Sequence, residues 1–143
     1  MERRMPKILE YATVGCLGAV GYMVIEILWR GYSHWTMALT GGVCFFIIYM
    51  NEELFFYAPL WKRCLVGSLA VTLIELVEGF FVNILLGWAV WDYSAVPFNV
   101  CGQICLLYSG LWFLLCMPLV FVCRHLRKMM QYLHRRFTEQ TIS

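Results

Sequence analysis

The chain has few charged residues for its length: Asp, Glu, Lys and Arg make up 14% of its 143 residues. A soluble domain has about 25% charged residues, so this composition excludes an ordinary soluble fold. Hydrophobic residues make up 62% of the chain, against about 45–50% in soluble domains. The sequence therefore predicts an integral membrane protein with a single membrane domain, residues 1–143.

Several motifs for catalysis and cofactor binding are also missing. The chain contains no G-x-x-x-x-G-K-[ST] phosphate loop, the sequence motif of an ATPase. It contains no His–Ser pair or metal-binding cluster that stands out, so we expect no catalytic residue, no metal and no other cofactor. Its seven cysteines, an odd number scattered through apolar segments, fit no secreted disulfide framework.

Four apolar segments dominate what is present, and each is about 20 residues long. A helix needs about that length to cross the ~30 Å hydrocarbon core of a bilayer. Helices satisfy all backbone hydrogen bonds internally, which lipid cannot do. The predicted fold is therefore all-α and polytopic. We predict four transmembrane helices, at residues 9–29, 35–57, 65–88 and 100–123. No small-residue cleavage site follows the first segment, so we expect a retained span rather than a signal peptide.

Lysine and arginine are distributed unevenly among the segments that connect these spans. Ten of the 11 basic residues lie in the N-terminus, the second loop and the tail, and Arg30 alone lies in the first loop. Basic residues favour the cytoplasmic side of a membrane. We therefore predict a multi-pass protein of the cell membrane with both termini in the cytoplasm.

The tail, residues 124–143, is predicted to form an amphipathic basic helix. One face of this helix carries Leu126, Met129, Met130, Leu133 and Phe137. Such a helix lies on an anionic cytoplasmic leaflet, and docking to a cytoplasmic partner protein is the alternative. Nucleic-acid binding is not expected, because the tail is tethered to the bilayer and has no recognisable nucleic-acid-binding fold.

Two carboxylates, Glu75 and Glu78, lie inside the third apolar segment. An acidic side chain near the centre of a spanning helix costs about 2.5–3.5 kcal/mol, so each needs a partner, a proton, a water-filled cavity or a bound solute. A purely structural role, in which the acids hydrogen-bond neighbouring helices, is the alternative. Glu26 precedes Arg30 by four residues, the favourable order for a helical ion pair.

The loop between the third and fourth spans carries a specific motif. Residues 91–99 read W-D-Y-S-A-V-P-F-N. The motif continues along the chain with Gly102, Cys105, Leu106, Ser109 and Trp112. Four residues earlier in the chain belong to the same family pattern: Gly21, Tyr22, Glu26 and Glu75. Over about residues 12–123 the chain resembles a bacterial membrane family, ABC-transporter type IV. Gln103 departs from the pattern, since many members carry Arg there. The resemblance implies a permease that works with a separate ATPase.

Together these residues predict an outward-facing polar cavity covered by the third loop. Small or polar residues at helical spacing face the bundle interior in each span. The predicted substrate-binding or ion-binding residues are Glu26, Glu75, Glu78, Asn83, Asp92, Asn99, Gln103 and Ser109. The predicted gating loop contains Trp91, Tyr93, Ser94, Pro97 and Phe98.

Three functions are compatible with this pattern. The first is a permease-type transporter subunit whose acids bind or relay a cation or proton. Because four helices are few for a permease, we expect a homo-oligomer, a separate ATPase or another membrane subunit as partner within the lipid bilayer. The second is a non-catalytic scaffold or regulatory subunit. The third is an intramembrane lipid-modifying enzyme, with Glu75 or Asp92 as general base and Tyr108 or Ser109 nearby.

Overall fold

Four helices make up most of the part of the chain that the computed structural model describes. That part is residues 7–142, with the backbone alone at 137, 138 and 140–142. Two predictions involve residues outside it. Arg3 and Arg4 contribute to the predicted orientation, and the side chain of Phe137 belongs to the predicted apolar face of the tail. The helices are α1 (Lys7–Arg30), α2 (Trp35–Leu54), α3 (Leu60–Gly79) and α4 (Leu106–Ile142).

Local sequence explains where the first helices begin and end. Gly31 follows α1 with φ +82°, and its N–H donates to the Ile27 carbonyl at 2.9 Å, as glycine does at many helix C-termini. His34 caps α2, since its Nδ1 accepts the N–H of Thr36 at 3.4 Å. Pro59 precedes α3, where its missing N–H costs no helical hydrogen bond.

Beyond α3 the chain departs from a purely α-helical fold. A π-helical segment, Phe80–Leu85, extends α3. A short hairpin follows, in which β1 (Asn99–Val100) pairs antiparallel with β2 (Ile104–Cys105). The hairpin occupies the first turn of the predicted fourth span, so α4 begins at Leu106 and not at residue 100. Strands of two residues carry no alternating pattern that a sequence could display.

Within the described residues, three helical stretches are long and apolar enough to cross a membrane: Lys7–Arg30, Leu60–Leu85 and Leu106–Arg136. Large apolar side chains cover much of their surface, as lipid contact requires. The predicted second span, α2, is not among them. Its last turn carries Asn51, Glu52 and Glu53, which lower its hydropathy.

The predicted fourth span and tail form one continuous helix of 37 residues, α4. Residues 119–142 contain no glycine or proline, so the sequence has no signal that would end the helix between Cys123 and Arg124. Leu126 and Met130, which were assigned to a membrane-surface face, are buried in the main core with Val14 and Tyr49.

Glycine allows α1 and α2 to pack closely, as the predicted stripes of small residues require. A Cβ at Gly18 would overlap Phe45 and the Gly41 carbonyl, and one at Gly41 would overlap Tyr22. α3 packs mainly on α4, and α2 contacts both. We call the end of the bundle that carries residues 86–105 the hairpin end, and the end that carries residues 55–63 the Arg63 end.

Candidate functional site

Glu75 lies at the junction of three helices. Its side chain is 3% exposed, and its Oε1 accepts a hydrogen bond from Trp112 Nε1 of α4 at 2.9 Å. The Tyr22 ring of α1 stacks on Trp112, with ring centroids 5.6 Å apart and planes at 21°. A buried carboxyl group in α3 is therefore held by a neutral N–H donor and enclosed by aromatic rings.

Glu78, one turn further along α3, contacts α2 instead. Its Oε2 is hydrogen-bonded to the hydroxyl of Thr40, and the same hydroxyl lies 2.9 Å from the Thr36 carbonyl. A threonine hydroxyl has one hydrogen to donate. If that hydrogen is donated to Thr36, the contact with Glu78 requires a hydrogen on the carboxyl group.

Glu26 forms the ion pair that its spacing predicted. Arg30 Nη2 lies 2.9 Å from Glu26 Oε2, and the Ser33 hydroxyl donates to the same oxygen at 3.1 Å. Arg30 Nη1 also donates to the Val90 carbonyl at 2.8 Å. One guanidinium thus neutralises Glu26 and ties the end of α1 to the third loop.

The two predicted amide residues bind each other. Asn83 Nδ2 donates to Gln103 Oε1 at 2.8 Å, and Asn83 Oδ1 accepts the Val90 N–H at 2.7 Å. Trp91 Nε1 donates to the Gln103 carbonyl at 2.9 Å. Gly79 allows this approach, since a Cβ there would overlap Gln103 and lie 3.0 Å from Trp91. These contacts fasten the hairpin and the third loop to α3.

Asp92 and Asn99 fold the loop on itself. Asp92 Oδ1 accepts the Ser94 N–H at 2.8 Å and also the Ser94 hydroxyl, and these hydrogen bonds lower the pKa of Asp92 below its ordinary range. Asn99 Nδ2 donates to the Val96 carbonyl at 2.8 Å, and Asn99 Oδ1 accepts the Gly102 N–H at 3.0 Å. Both side chains are therefore engaged within the loop and not with the acids.

The aromatic residues of the loop behave differently from one another. Trp91 is buried, and Tyr93 stacks on Tyr108 with ring centroids 4.6 Å apart. Phe98, which was expected to fold over the bundle with Tyr93, is 81% exposed. Its φ of +57°, in the left-handed region, turns the chain into β1 and leaves the ring outside.

Ser109, the remaining predicted site residue, lies in α4, and its hydroxyl accepts a hydrogen bond from the Thr72 hydroxyl of α3 at 2.9 Å.

Three of the predicted site residues, Glu26, Glu75 and Glu78, have carboxyl groups that interact electrostatically with one another. We call them the Glu75 group. The carboxyl group of Glu75 interacts with those of Glu26 and Glu78. The phenol of Tyr22 interacts with Glu75 and Glu26. In the described hydrogen bonds, Arg30 is the cation that contacts this group, and it contacts Glu26 alone.

A second polar cluster, which is not among the predicted site residues, lies at the Arg63 end. Arg63 Nη1 lies 2.6 Å from Glu52 Oε2, and these side chains are 6% and 2% exposed. Asn51 Nδ2 donates to the Arg63 carbonyl at 2.9 Å. Arg127 joins the cluster through Glu53 at 3.5 Å and the Tyr49 carbonyl at 3.3 Å. Two acids at the end of α2, followed across a short loop by Arg63, were the signal that could have revealed it.

Cys101 and Cys105, which share an i, i+4 spacing, differ in their surroundings. Cys101 is exposed and Cys105 is buried. Across the described residues, no group of three or more His, Cys, Asp and Glu side chains is placed to hold a metal ion.

A family model described as "Putative ABC-transporter type IV" matches residues 11–143. The chain belongs to this family. No curated protein and no solved structure matches it. The family description and the apolar helices fit a membrane protein.

Proposed function

We propose that the protein is a permease-type membrane subunit in which Glu75, Glu78 and Glu26 bind a cation or a proton. The observation that carries this proposal is the charge balance around Glu75. Three carboxyl groups interact at the hairpin end, and one guanidinium, that of Arg30, contacts them through Glu26. Two carboxylates remain without a basic partner among the described contacts, in a region that favours neutral groups.

The cost of that imbalance favours a bound positive charge. Each unpaired acid near the centre of a spanning helix costs about 2.5–3.5 kcal/mol. A proton or a cation that enters the cluster removes this cost. The Thr40 hydroxyl, which has one hydrogen and two acceptors in contact, supports a proton on Glu78.

The topology belongs to the same proposal. We place four helices across the cell membrane, with α2 as the fourth span, because its neighbours α1 and α3 are long and apolar enough to span. The distribution of basic residues places both termini in the cytoplasm. The hairpin end then faces outward, with the loop at 91–99 as gate, and the basic end of α4 lies at the anionic leaflet.

Four helices are few for a solute pathway, so we propose assembly with a further subunit. The family description favours a separate ATPase, and a homo-oligomer is the alternative. The loop at 55–59 and the C-terminal part of α4 are the segments that would face such an ATPase in the cytoplasm.

A flux measurement tests the proposed activity. Full-length chain is reconstituted into vesicles that contain a pH-sensitive dye, and a proton gradient is imposed with Na⁺ or K⁺ present. We expect flux to fall at least about tenfold in Glu75→Gln, because the amide neither binds a proton nor carries charge. Glu53→Gln, at the Arg63 end, is the matched control. Equal flux from the wild type and Glu75→Gln contradicts the proposal.

A scaffold is the second candidate, and one observation favours it. Each predicted carboxyl or amide side chain has a partner within the chain: Trp112 for Glu75, Thr40 for Glu78 and Gln103 for Asn83. Such contacts also suit acids that only join helices. Recovery of one stoichiometric partner by both the wild type and Glu75→Gln, with no flux from either, would select this candidate.

A further inference from the structure

A cavity at the Arg63 end carries features that the proposed function does not use. Its volume is about 310 Å³, near the lower end of the ~300–1,000 Å³ range of ligand pockets. It lies between the end of α2 and the middle of α4, and its lining includes Glu52, Phe56, Arg124, Arg127 and Lys128. It is separate from the Glu75 group at the hairpin end.

Two buried polar atoms of this lining lack hydrogen-bond partners among the described residues. Glu52 Oε2 is engaged by Arg63 at 2.6 Å and approached by Arg124 Nε at 3.4 Å. Glu52 Oε1 and Arg124 Nε have no hydrogen bond, although Glu52 is 2% exposed. An unsatisfied buried polar group costs about 1–3 kcal/mol. The residues that line the cavity therefore include one buried acceptor and one buried donor without a hydrogen bond, both beside the contact between Arg124 and Glu52.

The charges of the side chains that line the cavity also limit which ligand would suit it. Arg124, Arg127 and Lys128 supply three cations, against one lining carboxylate, Glu52. Outside the lining, Glu53 contacts Arg127 at 3.5 Å and is 48% exposed, and Glu10 is linked to Arg127 through the Tyr49 hydroxyl. The Arg124 guanidinium lies over the Phe56 ring, 5.3 Å from its centroid. A ligand suited to this cavity carries an anionic group for the cations, a hydrogen-bond donor for Glu52 and an apolar part for Phe56.

We infer that the cavity binds the headgroup of an aminophospholipid, which combines a phosphate with a primary ammonium. The ammonium donates to Glu52 Oε1. The phosphate accepts hydrogen bonds from the guanidinium of Arg124, whose side chain is 36% exposed, and from Lys128. Basic pockets between helices at the cytoplasmic side are established places for lipid headgroups. The primary ammonium distinguishes this ligand from a lipid that is only anionic.

Native mass spectrometry of the full chain in detergent tests the headgroup. The probes are phosphatidylethanolamine, phosphatidylcholine and phosphatidylglycerol with identical acyl chains. We expect about tenfold tighter binding of phosphatidylethanolamine, because phosphatidylcholine has no headgroup donor for Glu52 and phosphatidylglycerol offers only a neutral hydroxyl in place of a charged one. Equal binding of all three, or tighter binding of phosphatidylglycerol, overturns the proposal.

A variant pair tests the location. Lys128→Gln removes a lining cation from an exposed position and should weaken phosphatidylethanolamine binding several-fold without unfolding the bundle. Lys62→Gln, the same change outside the lining, should leave binding unaltered. Equal effects of the two substitutions overturn the assignment to this cavity.

A competition arm identifies the source of the headgroup. Excess soluble glycerophosphoethanolamine should leave the bound lipid in place, because it lacks acyl chains that bury in detergent or bilayer. Displacement of the bound lipid by that excess overturns the assignment to a membrane lipid.

Discussion

At the scale of single residues, the acids of the hairpin end differ in what contacts them. Glu26 has a guanidinium partner in Arg30, Glu75 has an indole N–H and Glu78 has a hydroxyl. Neutral donors stabilise a carboxyl group without fixing its charge. The contacts of Glu75 and Glu78 therefore supply no opposite charge, which the proposed function requires, whereas Glu26 is paired with a guanidinium.

The hydrogen bond between Trp112 and Glu75 gives the first prediction. Trp112→Phe removes the N–H donor from a buried carboxyl group, and we expect the free energy of unfolding to fall by about 1–3 kcal/mol. Trp61→Phe is the matched control, because Trp61 is 56% exposed and its replacement should cost under about 0.5 kcal/mol. Denaturant unfolding in micelles measures both. Equal losses from the two variants would show that the Glu75 contact contributes nothing.

The buried ion pair at the Arg63 end gives a second. Glu52→Gln leaves the Arg63 guanidinium buried without its counter-charge, which typically costs about 3–5 kcal/mol. Glu53→Gln removes a 48% exposed carboxylate that contacts Arg127 at 3.5 Å, so it should cost about 0–1 kcal/mol. Unfolding curves of the two variants make the comparison. A loss below about 1 kcal/mol for Glu52→Gln would mean that Arg63 finds another partner.

At the scale of elements, the packing of α1 on α2 depends on close contact between the two helix backbones rather than on interdigitating side chains. Gly18 and Gly41 face each other across this contact, and neither has space for a Cβ. Small residues at such positions drive association between helices in lipid, where no hydrophobic effect operates between them.

This contact predicts opposite signs for two similar substitutions. Gly18→Ala should destabilise the bundle by about 1–3 kcal/mol, because the methyl group overlaps α2. Gly21→Ala, where nothing lies within 4 Å of the added Cβ, should be neutral or stabilise by up to about 1 kcal/mol through helix propensity. Thermal unfolding of the paired variants tests this. Equal effects would exclude a close contact at Gly18.

Regular spacing decided which parts of the fold could be predicted. The Glu26–Arg30 pair and the Gly18 contact follow from helical periodicity, and the structure confirms both. The β1–β2 hairpin has no periodicity because its strands have two residues each.

Partners that lie apart in the sequence were not predicted, although the two acids at the end of α2 were a signal for Arg63. Arg63 resembles an ordinary loop cation until Glu52, eleven residues earlier, buries it. Asp92 and Asn99 were assigned to the site for their chemistry, whereas their partners are backbone groups of their own loop. Polar residues in loops satisfy local backbone groups often, and spacing alone does not distinguish that role from ligand binding.

At the scale of the whole molecule, the two ends of the bundle differ in net charge, since carboxyl groups are in excess at the hairpin end and basic groups at the Arg63 end. The interacting carboxyl groups of Glu26, Glu75 and Glu78 lie toward the hairpin end. The cation-rich cavity with Arg124, Arg127 and Lys128 lies at the Arg63 end. Under the proposed topology, the acids face an outer aqueous phase and the cations face the anionic inner leaflet.

A native cysteine tests this orientation. Cys101 is exposed in the hairpin, so a membrane-impermeant maleimide should label intact cells through it, and Cys101→Ser should abolish that labelling. The exposed Cys16 lies within α1 at a depth that an impermeant reagent does not reach, which makes Cys16→Ser the control. Labelling of Cys101 only after permeabilisation would reverse the topology.

The central claim is that Glu75 exchanges a proton or cation within the bundle, and infrared difference spectroscopy tests it most directly. Reconstituted full-length chain is stepped between about pH 5 and pH 9, and then between Na⁺ and K⁺ at fixed pH. We predict a carboxyl band that responds to one of these steps in the wild type and is absent from Glu75→Gln. Identical carboxyl spectra of the wild type and Glu75→Gln through every step would contradict the claim.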